Sequence, residues 1–78
     1  MDAREMFKML GYEQVKSDAC RIKYEKVDGK HCTNFTFLLR SRCFYTDYIY
    51  GKYGSSSHCV TQDELKAIFY QAKALGWI

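Results

Sequence analysis

The chain has 78 residues, of which 47% are hydrophobic and 27% charged, with no proline, four cysteines and a formal net charge of +3. This composition is globular and excludes disorder; the length predicts one domain over residues 1–78, able to bury only roughly 65% of the surface its unfolded chain exposes. The mild positive charge permits an acidic or nucleic-acid partner and demands neither.

No apolar run approaches the ~20 residues that a bilayer-spanning helix needs, and "MDAREMFKML" lacks the apolar stretch of a signal peptide. The expectation is a soluble cytoplasmic protein with no membrane partner. In such a reducing compartment Cys20, Cys32, Cys43 and Cys59 are expected as thiols.

In chain order, Asp2 and Glu5 have capping-box spacing, Met6, Phe7, Met9 and Leu10 supply an apolar helix face, and Gly11-Tyr12 reads as a stop. Residues 20–26, "CRIKYEK", alternate as a half-buried strand, and "VDGK" (27–30) carries an Asp-Gly turn signal. "CTNFTFLL" (32–39) sets Phe35, Phe37 and Leu39 on one face and Asn34, Thr36 and Leu38 on the other. A two-residue turn at Arg40-Ser41 leads into "RCFYTDYIY" (42–50) and would place Phe37 opposite Phe44. "GKYGSSS" (51–57) reads as a loop, and "HCV" (58–60) as a short fourth strand or as the lead-in to a helix. That last helix opens with a Thr61/Glu64 capping box and a Val60/Leu65 staple. It carries an apolar stripe of Leu65, Ile68, Phe69, Ala72 and Leu75, and ends at Gly76-Trp77. "MLGYE" and "ALGWI" are therefore the same helix stop written twice.

The pattern predicts an α+β fold, α-β-β-β-(β)-α, an antiparallel three- to four-stranded meander with both helices packed on one face. Alternation then assigns an open face to Arg21, Lys23, Glu25, Asn34, Thr36, Leu38, Cys43, Tyr45, Asp47 and Ile49.

"AREMFKMLGYE", "IKYEK" and "VTQDELKAIFYQAKALGW" together resemble a class of small proteins of phages, prophages and mobile elements of Gram-positive gut bacteria. Ala3, Glu5, Phe7, Leu10, Gly11 and Tyr12 match the first helix of that class. Thr61, Glu64, Leu65, Ala67, Ile68, Gln71, Leu75, Gly76 and Trp77 match the last. Residues 42–59 lie outside the match. The resemblance implies the fold and a phage-related origin, and no activity.

The chemical readings are few. His31-Cys32 and His58-Cys59 are adjacent pairs without zinc-ligand spacing, so no metal and no cofactor are expected. "SSSH" sets hydroxyls beside an imidazole without a group to orient it, and no phosphate loop or nucleophile elbow is present; the chain is read as no enzyme. The aromatic-basic stretch 40–53 is the candidate binding segment: Arg40, Arg42, Tyr45, Tyr48, Tyr50, Lys52 and Tyr53, joined by Leu38 and Cys43. Tyrosine and arginine dominate protein interfaces, and tyrosines beside cations also stack on single-stranded bases. The expected partner is another protein or a second copy; nucleic acid is the alternative. Mass spectrometry of protein purified without reductant should find four free thiols, and a chelator should leave the melting temperature unchanged; stoichiometric zinc would overturn this reading.

Overall fold

The structure is a computed structural model and describes residues 1–78; the side chain of Tyr53 lies outside the described residues. Helix α1 (Ala3–Met9) is followed by strands β1 (Glu13–Ser17), β2 (Arg21–Asp28), β3 (His31–Leu38), β4 (Cys43–Tyr50) and β5 (Ser55–Ser56), then by helix α2 (Gln62–Ala74). The strands form one antiparallel sheet in sequential order. Phe7 of α1 and Ala67 and Ile68 of α2 pack with Tyr12, Tyr24, Phe35 and Phe37 in one core. Both helices therefore lie on the sheet face that carries Tyr24, Phe35 and Phe37. The class is α+β, as the pattern predicts.

The sheet has five strands rather than three or four. The polar segment "EQVKS" forms β1, which alternation could not reveal because all of it except Gln14 is exposed. Its pairing with β2 shifts between Gln14 and Lys16, which leaves Val15 in a bulge. Asp18 builds the following turn by accepting from the N–H groups of Cys20 (2.8 Å) and Arg21 (2.9 Å). Residues 58–60 are the irregular lead-in to α2, and the short edge strand falls at β5 instead. Before β5, the chain makes a single 3-10 turn over Gly51–Tyr53.

The turns depart slightly from expectation while the register holds. Phe37 pairs with Phe44, but the connection spans residues 39–42, with Arg42 in the left-handed region at φ 53°. Strand β2 runs on to Asp28 opposite His31, so its hairpin turns on Gly29-Lys30.

The repeated phrase closes both helices in the same way. Gly11 N–H bonds Lys8 C=O (3.0 Å) and Tyr12 N–H bonds Phe7 C=O (2.9 Å); Gly76 N–H bonds Lys73 C=O (3.0 Å) and Trp77 N–H bonds Ala72 C=O (2.9 Å). These are paired Schellman bonds, and each glycine has the positive φ they need, 94° and 75°. Each stop turns an aromatic back onto the core: Tyr12 is fully buried, and Trp77 lies 6.1 Å from Phe37.

Helix α2 differs from expectation in its roll. It buries Glu64, Ala67, Ile68 and Gln71, the expected stripe moved one residue toward the N-terminus, which is about 100° around the axis. Leu65 (59% exposed) and Phe69 (52% exposed) consequently face out, as do Val60 of the expected staple and Met9 of α1. Gly76→Ala meets no atom within 4 Å, so its cost is backbone strain alone. It should destabilise the fold by about 1 kcal/mol in urea denaturation. Unchanged stability would show that the stop does not need its left-handed residue.

Candidate functional site

The roll of α2 is set by hydrogen bonds. The Tyr12 hydroxyl donates to Glu64 Oε2 at 2.6 Å, and the Tyr24 hydroxyl donates to Gln71 Oε1 at 2.6 Å. Glu64 is also the capping-box carboxylate: its Oε1 accepts from Thr61 N–H (2.9 Å) and from His58 Nε2 (2.8 Å). Burial alone would push the Glu64 carboxyl up; the bonds from Tyr12, Thr61 and His58 outweigh it and hold the group below its ordinary range. Burial, followed by the adjacent carboxylate, pushes the Tyr12 phenol far up, so Tyr12 is a permanent donor.

With the helices held on one face, the other face of the sheet carries four cross-strand rows. Arg21, Leu38 and Cys43 form the first; Lys16, Lys23, Thr36 and Tyr45 the second; Glu13, Glu25, Asn34 and Asp47 the third; Val27, Cys32 and Ile49 the fourth. Thr36 and Asn34 at its centre are buried, at 2% and 3% exposure, whereas Val27 (64%) and Tyr45 (48%) stand out. Cations occupy one half and carboxylates the other. Asp47 Oδ1 is buried without a hydrogen-bond partner.

The candidate residues divide between the two faces. Leu38, Cys43 and Tyr45 lie together on the open face, with Arg40 and Arg42 in the adjoining turn. Tyr48 and Tyr50 point to the helix side, where Tyr48 stacks on His31 with ring centroids 5.6 Å apart and lies 5.8 Å from Tyr50. Lys52 sits beyond them in the 3-10 turn; the side chain of Tyr53 lies outside the described residues. Segment 40–53 is thus not one surface, because alternation in β4 sends its tyrosines both ways. Sequence reasoning missed Glu13, Val15, Lys16 and Val27 on the open face. Only Val27 left a signal, continuing the Arg21/Lys23/Glu25 alternation. The helical surface also differs from expectation: Leu65, Phe69 and Tyr70 are exposed, so α2 does not spend its whole apolar stripe on the core.

Other chemistry is sparse. A groove of about 330 Å³, lined by Arg4, Glu5, Lys8, Tyr12, Glu13 and Gln14, mixes both charge signs. Among the described residues no group of three or more His, Cys, Asp or Glu could hold a metal ion, and no helix is long and apolar enough to cross a membrane. All four cysteines are free thiols. Comparison with protein-family models, curated proteins and solved structures gives no match for this chain.

Tyr12→Phe strands a buried carboxylate oxygen and should cost about 2 kcal/mol in urea denaturation, against about 1 kcal/mol for Tyr24→Phe at a neutral acceptor. The folded Glu64 pKa lies below its ordinary 4.5. Its contribution is therefore complete above that value and is lost as pH falls through the lower folded value. Stability measured from neutral pH down through the carboxylate range should fall more steeply in wild type than in Glu64→Gln; parallel profiles would refute the role given to Glu64.

Proposed function

We propose that this protein is a small non-enzymatic binding module of phage or mobile-element type that works in the cytoplasm and engages a protein through its open sheet face. The observation that carries the reading is the make-up of that face. Tyr45, Val27, Val15 and Ile49 are exposed there. Lys16, Arg21 and Lys23 are matched by Glu13, Glu25 and Asp47. A surface for nucleic acid needs a continuous positive track along the backbone, which the third row interrupts with three carboxylates. A neutral face with exposed aromatic and apolar side chains suits a protein. The phage-type assignment rests on the two helix motifs alone. A nucleic-acid reading would draw on Tyr48 and Tyr50 on the helix side, together with Arg40, Arg42 and Lys52 in the adjoining turns.

A photo-reactive phenylalanine analogue in place of Tyr45 should give protein adducts in cells, whereas the same analogue at Phe69 should not. A labelled single-stranded oligonucleotide should show no affinity. Adducts from position 69 alone would move the site to α2. Oligonucleotide binding that weakens by about 0.7 in log affinity per log salt for each phosphate contact, and drops in an Arg42→Ala/Lys52→Ala variant, would replace the protein reading with the nucleic-acid one.

A further inference from the structure

We infer that the occupant of the open sheet face is a second copy of this chain, packed face to face about a two-fold axis that runs across the strands. The inference rests on the protein-binding reading and names its partner. Lys16, Arg21 and Lys23 lie in the first two rows, and Glu13, Glu25 and Asp47 lie in the third. Among the described residues none of these six makes an ion pair within the chain; the pair formed is His58–Glu64. The face is therefore a plate with one positive and one negative half, equal in formal charge.

Such a plate can be laid on itself by two kinds of two-fold axis, and charge selects between them. An axis parallel to the strands sets each row over itself and β2 over β4, so Glu25 would meet the partner's Asp47. An axis across the strands sets each strand over its own copy and reverses the rows. Lys16 then lies over the partner's Glu13, Lys23 over the partner's Glu25, and Tyr45 over the partner's Asp47. The fourth row meets the first, so Cys32 and Ile49 cover Leu38 and Cys43. In aligned packing stacked sheets keep their strands within about 30° of each other, which holds the meetings closest to register on the central strands β2 and β3.

Strands about 4.8 Å apart, rising about 3.4 Å per residue, give the face roughly 500 Å², so a dimer buries about 1,000 Å², the lower bound for a specific interface. The dimer should be weak, in the micromolar range, and should loosen as salt screens its charges.

Sedimentation equilibrium of the full chain tests this. Wild type should dimerise, and Lys23→Glu or Glu25→Lys should each weaken the dimer at least about tenfold, because each sets like charges together. Mixing the two variants should restore association, since both contacts of the heterodimer are then opposite in sign. Glu13→Lys and Lys16→Glu repeat the design at exposed positions of β1. Wild type that stays monomeric, or variant mixtures that fail to associate, overturn the inference. In that case adducts from position 45 to another protein keep the binding face and exclude only self-association; their absence removes the face itself.

Discussion

The bond from the Tyr12 hydroxyl to Glu64 joins the end of one helix to the start of the other. Tyr12 is the residue that the α1 stop folds back, and Glu64 is the carboxylate that closes the α2 capping box. Two pieces of local helix grammar, 52 residues apart in sequence, thus meet in one buried hydrogen bond. A buried carboxylate is costly unless donors surround it; Glu64 has three, from Tyr12, Thr61 and His58. Tyr24 and Gln71 repeat the arrangement two turns along α2. Between these two anchors Ala67 and Ile68 fill the core, so the helix has little freedom to roll.

The roll decides the outer surface of α2. It directs Leu65 and Phe69 outward, a cost in apolar exposure that the two phenol bonds offset. Both helices lie on one sheet face, where Phe7 stacks on Tyr24 at 4.1 Å and Phe37 on Phe44 at 5.4 Å. The opposite face keeps its rows of charge and its exposed Tyr45 and Val27 clear of both helices.

The two outermost strands make poor edges for association. Strand β1 is short, carries Lys16 and bends at the Val15 bulge, and β5 is two residues long. Short, bulged and charged edges resist strand-to-strand association. Strand β5 covers only Tyr48 and Ile49 of β4, so residues 43–47 keep an open strand edge.

Where the signal was local, the sequence alone determined most of the outcome, the Val60/Leu65 staple and the length of the β3–β4 turn excepted. Both helix stops, the Thr61/Glu64 capping box, the Phe37–Phe44 register and the face assignment of β2, β3 and β4 follow from chemistry within a few residues or from the two-residue period of a strand. Only the tertiary structure decided the existence of β1, the roll of α2 and the division of the β4 tyrosines into two surfaces. Strand β1 has almost no buried side chain to pattern it and exists because β2 offers it a ladder. The roll of α2 follows polar partners, Tyr12 and Tyr24, that no reading of hydrophobic period along the helix can weigh. The tyrosines of β4 share a segment in sequence yet serve opposite faces. Alternation fixes which side chains share a face, and Phe35 and Phe37 mark the face the helices cover, but how deeply each residue is buried follows from the assembled sheet, in which Asn34 and Thr36 of the open face are buried as well.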